Sequence, residues 1–381
     1  SPADENRARV SGDMTAYIVR RLLLIIPTLF GIILINFLVI QAAPGGPVEQ
    51  LISRYTGTGV EATARVSGGD QAETISDKRL ASQETLISKY RGAQGLDPDF
   101  IRELEVMYGF DKPAHERFIK MLVNYVQFDF GESFFRDERV VDLVMDKMPV
   151  SISLGLWTTL LVYMISVPLG ILKAVRDGSR FDFWSSGVVV VGNAIPSFLF
   201  AILLIVLFAG GRYLDWFPLR GLTSTGWNDF SLAEQIVDYF WHLVLPIVSM
   251  VIGGFAGLTL LTKNSFLEEI NKQYVITARA KGLTERRVLI GHVFRNAMLI
   301  VIAGFPSAFI GILFTGALLT EIIFSLDGLG LLGFEAVVNR DYPVMFASLY
   351  FFTLLGLVMQ LIGDLTYTII DPRIDFDTRE V

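Results

Sequence analysis

Apolar residues in this chain come in long uninterrupted runs. Residues 22–42 hold no charged side chain, and further runs fall at about 151–174, 184–209, 242–262, 297–323 and 344–370. Each is roughly 20 to 27 residues, enough at about 1.5 Å per residue to cross a hydrocarbon layer of ~30 Å with some tilt. The pattern predicts an all-α integral membrane protein with six transmembrane helices. Pro168 and Pro196 are expected to kink theirs, because proline removes a helical hydrogen bond.

Between the first two runs the pattern changes twice. Residues 56–95 are rich in Gly, Ser, Thr and Ala and read as an irregular insertion. From Asp97 apolar positions return at helical spacing. "DPDFIRELEVMYGF" and "PAHERFIKMLVNYVQFDFG" predict two short amphipathic helices, the second placing Phe118, Met121, Leu122 and Tyr125 on one face. The division that follows is a disordered tail at 1–13, a first transmembrane helix at 14–42 and an extracytoplasmic insertion at 43–150. A transmembrane core at 151–370, holding the polar connection 263–296, and a tail at 371–381 complete it. The leading "SPADENRARVSGD" is polar and patternless, and Met14 reads as the natural start.

One polar connection differs from the others. Residues 263–296 carry a dense basic block with internal order, at whose centre stands "YVITARAKGLTERRVLIGHVFRNA". "SFLEEINKQYVITARA" predicts a helix, Gly282 interrupts it, and Thr284 is placed to cap a second helix with Glu285 in its first turn. At 100° per residue Leu289, Ile290, Val293, Phe294 and Ala297 share one face, and Arg287, His292 and Arg295 lie opposite. Such a segment lies along anionic lipid or docks in a groove, and periodicity alone leaves both open.

Charge sets the orientation. Arg20 and Arg21, Lys173, Arg176 and Arg180, the block at 263–296, and Arg373 and Arg379 fall on one side, whereas the short opposite loops hold Arg212, Arg220 and Arg340. By the positive-inside rule both termini are cytoplasmic, and the 43–150 connection, being long, is exempt. A formal charge of −7 argues against a nucleic-acid partner. With no cysteine and three scattered histidines there is no thiolate site and no HExxH box. The sequence holds no Gly-Lys dipeptide, hence no phosphate-binding loop of the GxxxxGK[ST] kind, and ATP hydrolysis by this chain is excluded.

"TARAKGLTERRVLIGHVFRNA" resembles the cytoplasmic coupling loop, or EAA loop, of ABC importer permeases in the dipeptide and oligopeptide family. The likeness extends along the chain from Met14. "IVRRLLLIIPTLFGIILINFLVIQAAPGGP" is similar to that family's first helix and following turn, and "YGFDKPAHERFIKML" to its outer helix pair. "MPVSISLGLWTTLL" resembles the start of the transport core, "EIIFSLDGLGLLGFEAVVNRDYPV" the last outer loop, and "DPRIDF" the terminal signature. Four positions depart from the pattern. Ile276 stands where the general loop has glutamate, Ile300 where many peptide permeases have proline, Gly46 for a common aspartate and Asp327 for a common proline.

The resemblance implies a type I importer permease of a bacterial inner membrane, with no cofactor of its own. ATP and Mg would be bound by separate ATPase subunits docking on Thr277, Ala278, Arg279, Ala280, Lys281, Gly282 and Leu283. A second, related permease would complete the pathway, and an extracytoplasmic binding protein would deliver oligopeptides, with peptide–nucleotides of the microcin C kind as further cargo. In that scheme the coupling helices are continuous with the fourth and fifth spans, so their approach switches the bundle between two packings. Asn36, Asn193, Glu321 and Gln360 are the candidate pathway residues, with Asp364 beside them, although helix-to-helix hydrogen bonding explains such residues equally well. Two other readings stand alongside: an ion-coupled transporter or channel, and a membrane scaffold whose basic block binds lipid or a soluble adaptor.

Overall fold

The computed structural model of the chain describes residues 2–42, 112–133, 135–136, 138–211, 213–312 and 318–370. The 56–95 insertion, the helix expected over 97–110, Gly46 and the 371–381 tail lie outside the described residues. Among the described residues the regular structure is helical, apart from one isolated bridge between Glu132 and Arg139, and the connection at 209–231 is mostly turns and bends. Five helices are long and apolar enough to cross a membrane, and a bent pair supplies a sixth span if its two halves count as one.

Helix α1 (Pro2–Ala42) starts twelve residues before Met14, so the stretch expected to be a disordered tail is helical. Its alanines, glutamate and arginines are good helix formers, and proline is tolerated in a first turn. α2 (Ala114–Val126) is the second expected amphipathic helix. α3 (Val140–Val175) begins eleven residues ahead of the apolar run at 151, because Asp142, Asp146 and Lys147 hide its first turns from a hydropathy reading. The third run is two helices, α4 (Arg180–Ala194) and α5 (Ser197–Phe208), bent by 90° across Ile195 and Pro196. Proline explains the break, since the residue before it is driven to extended backbone and Ile195 has ψ of 118°.

α6 (Leu232–Ile270) opens with a capping box in which the Ser231 and Glu234 side chains each accept from the other's backbone N–H. α7 (Gln273–Ala280) follows, then α8 (Glu285–Gly311), which contains a π-turn at Leu289–Val293. α9 (Leu318–Ile323), α10 (Leu329–Asn339) and α11 (Tyr342–Ile370) complete the order.

The chain divides into two units. The first comprises Ser1–Ile25, Asp146–Leu331 and Phe352–Val381, and the second Ile26–Met145 and Leu332–Phe351. In the second, Phe118 meets Phe30 and Phe37 edge to face, and Tyr125, Phe130, Tyr350 and Phe351 form an aromatic cluster. The Ser133 hydroxyl there donates to the Asp341 carboxylate and accepts from the backbone N–H groups of Phe135 and Arg136.

α6 is the axis of the first unit, with α4, α5 and α8 packed on it. One core gathers Leu154, Leu204, Leu243, Ile247 and Phe324, and another gathers Phe266, Val275, Val288, Val293, Ala297 and Val301. α3 and α6 approach so closely that a Cβ on Gly170 would stand 2.6 Å from Thr262 Cβ, close helix approach being what small residues permit in membranes. Nearby, Lys173 is 0% exposed. Its ammonium donates to the Asp182 carbonyl (3.0 Å), Ser185 Oγ (3.0 Å) and Ser186 Oγ (2.6 Å), and pairs with the Asp182 carboxylate at 2.9 Å. Lys263 of α6 reaches Asp182 and Asp177, both at 2.8 Å. A buried charge is tolerable only when paired and hydrogen-bonded to this degree.

Candidate functional site

The basic block folds as an arm of two helices joined by a glycine turn. α7 is held from within: Val275 is 0% and Ala278 6% exposed, packed with Phe266, Val288 and Val293. The opposite face of α7 is open, with Ile276, Thr277, Arg279 and Ala280 exposed, and Lys281 and Gly282 beyond them. Leu283 is half-buried and packs on the same core. Gly282 has φ of +82°, the left-handed conformation glycine adopts without a Cβ penalty, and the Leu283 N–H returns to the Ala278 carbonyl at 3.3 Å.

Three local expectations are corrected. The helix before Gly282 is not continuous with α6, for α6 ends at Ile270 and α7 restarts at Gln273. Thr284 occupies the N-cap position, but its side chain makes no capping bond. The buried stripe of α8 runs through Val288, Val293 and Ala297, while Ile290 (57%) and Phe294 (39%) face outward. The π-turn is the cause. Five residues of α-helix rotate by about 500°, leaving Val288 and Val293 roughly 140° apart, whereas an i→i+5 turn returns them to one side.

Of the polar residues singled out in the spans, Gln360 and Asp364 share one cavity. Gln360 is exposed on α11 and lines a cavity of about 780 Å³ between α8 and α11, together with Ser307, Thr353 and Asp364. Asp364 pairs with Arg21 of α1 at 3.1 Å. Asn36 is 1% exposed on α1. Asn193 is exposed, next to the α4–α5 bend. Glu321 is 0% exposed and offers no surface to a passing molecule. Its carboxylate accepts from Ser151 Oγ (2.9 Å) and from the Leu331 N–H (2.7 Å), and Ser151 in turn accepts from the Leu329 N–H (2.7 Å). Glu321 thus satisfies donors at the start of α10. Gly328 lies against it with no room for a Cβ, and Gly330 packs closely, a Cβ there standing 3.0 Å from Oε2. The residues that sequence reading missed, Glu269, Tyr274 and Asn296, gave no motif signal and meet only through the fold.

Several apolar spans with a glycine-turned basic arm inserted between two of them define a multi-pass membrane protein of the permease class. The family model described as binding-protein-dependent transport system inner membrane component matches residues 166–376. The chain is 61% identical, over 97% of its length and all of the relative's, to the peptidoglycan transport system permease protein YejB of Agrobacterium fabrum. It is 57% identical, over 96% of its length and all of the relative's, to the inner membrane ABC transporter permease protein YejB of Escherichia coli. Identity is 35%, over 95% of this chain and the whole relative, to the oligopeptide transport system permease protein AppB of Bacillus subtilis. The chain belongs to the binding-protein-dependent ABC importer permeases, as the motif resemblance implied.

Proposed function

We propose that this chain is one half of the translocation pathway of an ATP-driven importer of short peptides. The carrying observation is the arm: a short helix buried on one side, open on the other, and turned by a left-handed glycine. A lipid-surface helix would present its apolar residues outward as a stripe. Here the apolar stripe is spent inside the protein, and the outward face mixes Ile276, Thr277 and Ala280 with Arg279 and Lys281, a surface suited to a protein cleft. Separate ATPase subunits bind ATP and Mg and dock there, and this chain holds neither. A second, homologous permease closes the cavity between α8 and α11, and an extracytoplasmic binding protein delivers the cargo. Both termini are cytoplasmic in a bacterial inner membrane.

The cavity supports a peptide cargo. Ser307, Thr353 and Gln360 line it with neutral polar groups matched to backbone amides, beside the Asp364 carboxylate and apolar residues such as Ile300, Ile310 and Leu357. The relatives' names, one an oligopeptide and one a peptidoglycan transport permease, point to the same peptide chemistry. Peptide–nucleotides of the microcin C kind are a further cargo class on this reading.

The test uses the complete complex in proteoliposomes with a labelled short peptide. Uptake is expected to require ATP, and Ile276→Asp and Gly282→Trp are expected to lower recovery of the ATPase subunits at least tenfold. Ile276 is half-exposed, so Ile276→Asp leaves the core undisturbed, whereas Gly282→Trp adds bulk and also strains the left-handed turn that aims α7. Peptide uptake in vesicles without any ATPase subunit, or undiminished ATPase recovery with both variants, overturns the proposal.

A further inference from the structure

The arm has a mechanical problem. Along the backbone, a pull on α7 reaches the membrane helices across two non-helical joints, one at Asn271 and Lys272 and one from Lys281 to Thr284. A free joint would swivel and absorb the motion. Both joints close on one side chain. The Tyr274 hydroxyl, in the first turn of α7, donates to Glu269 Oε2 in the last turn of α6 at 2.6 Å. It accepts from Asn296 Nδ2, on α8 beyond the second joint, at 3.2 Å. Tyr274 therefore touches the three helices that the two joints separate.

Glu269 is the anchor of this arrangement. It is 9% exposed, an unusual burial for a glutamate at a cytoplasmic helix end, and it also pairs with Lys272 in the joint itself. Its two oxygens are thus assigned one each, to the lysine across the joint and to the tyrosine past it. Phe266 and Val275, both 0% exposed, exclude water beneath, which strengthens polar bonds at the edge of the core. A second bridge across the lower joint, Arg279 to Glu285 at 3.0 Å, is solvent-exposed on both sides and adds little.

We infer that Glu269, Tyr274 and Asn296 form a strut that makes the arm rigid, and that they are positioning residues for energy coupling rather than contacts for the ATPase. This rests on the proposal that α7 docks an ATPase. The strut lies on the side of α7 that faces the bundle, so its loss leaves docking intact and degrades only what docking achieves.

The experiment measures two quantities on the reconstituted complex: ATPase subunits recovered per permease, and peptide molecules imported per ATP hydrolysed. Tyr274→Phe removes the hydroxyl with its bonds to Glu269 and Asn296, and its long contact to the His292 carbonyl at 3.5 Å, while keeping the ring. It is expected to leave ATPase recovery and ATP turnover within twofold and to lower peptide per ATP about three- to tenfold. Asn296→Ala, losing one bond of the two, is expected to fall between Tyr274→Phe and the unaltered chain. Glu269→Gln keeps an acceptor for the tyrosine and is expected to retain more coupling than Glu269→Ala. Normal recovery with an unchanged peptide-to-ATP ratio in Tyr274→Phe sinks the strut while leaving ATPase docking standing. Equal loss of recovery and ratio also overturns it, since the residues would then serve docking or folding alone. If Ile276→Asp and Gly282→Trp keep full ATPase recovery, the underlying docking proposal fails instead.

Discussion

Glycine 328 and Glu321 make a sharp energetic test. A Cβ built on Gly328 would lie 2.2 Å from Glu321 Oε1 and 2.4 Å from Cδ, and the three atoms nearest to it all belong to that one carboxylate. The carboxylate cannot swing aside cheaply, because Ser151 and the Leu331 N–H hold it. Gly328→Ala alone is therefore overpacking of a fixed site and is expected to cost about 2 kcal/mol, within the ~1–3 kcal/mol range for such insertions. Glu321→Ala loses two hydrogen bonds to a charged group, about 1.5–3 kcal/mol each, offset by release of the carboxylate from a buried site, for a net loss of about 2–4 kcal/mol. In the double variant the clash is gone. Gly328 does not sit in the left-handed region, so alanine there is unstrained and gains roughly 0.4–1 kcal/mol by restricting the unfolded chain. The substitution should thus change sign, costing about 2 kcal/mol beside Glu321 and costing nothing or stabilising beside Ala, a coupling of about 2–3 kcal/mol. Denaturant unfolding of the four detergent-solubilised chains measures it. A Gly328→Ala cost equal in both backgrounds would refute the argument, because the clash would then lie elsewhere.

Two further outcomes follow from other buried groups. Lys173→Met removes an ammonium that is 0% exposed and leaves Asp182 with Lys263 alone; unfolding should show a loss of about 2–4 kcal/mol, partly restored by Asp182→Asn, and no restoration would mean the two charges are not one unit. Around the arm, a hydrogen bond to the Glu269 carboxylate holds Lys272 above the ordinary lysine range, and burial with that same carboxylate raises Tyr274. Groups whose folded pKa is raised keep their full contribution below the unfolded values of about 10 and lose it only as pH climbs through the folded ones, so the ratio of peptide to ATP should be flat from pH 6.5 to 9 once ATPase turnover is normalised; a fall within that window would contradict this placement of both residues.

Legibility in the sequence followed the kind of signal. Membrane spans are legible because lipid demands about 20 apolar residues whatever the partners are. The glycine turn is legible because one residue type tolerates its backbone. The true start of α3 at Val140 is not, since a helix that continues out of the hydrocarbon carries charges such as Asp142 and Asp146 and gives no hydropathy. The outward turn of Ile290 is hidden for a different reason. A π-turn widens the turn and is invisible to a 100° projection, which therefore misplaces Ile290 and Phe294 while Val293 and Ala297 stay on the buried side.

The charged and polar residues show why candidate sites are harder than spans. In a membrane protein a glutamate or lysine within an apolar run looks like a pathway residue, since burying it is costly and function is the usual reason to bear that cost. Lys173 and Glu321 show another. Each is 0% exposed and each is bonded into a helix start: Lys173 through the Asp182 carboxylate and the Ser185 and Ser186 hydroxyls of α4, and Glu321 by accepting from the Leu331 N–H in α10. Helix starts near a bilayer leave N–H groups that water cannot always reach, and a buried carboxylate supplies acceptors there. The same logic separates Gln360 from Glu321. Gln360 bears no charge that needs neutralising and stands open to a cavity, whereas the Glu321 carboxylate is already committed to Ser151 and Leu331. A permease that must reshape its pathway while keeping its helix joints fixed needs both kinds of residue, and only the set of hydrogen bonds tells one from the other.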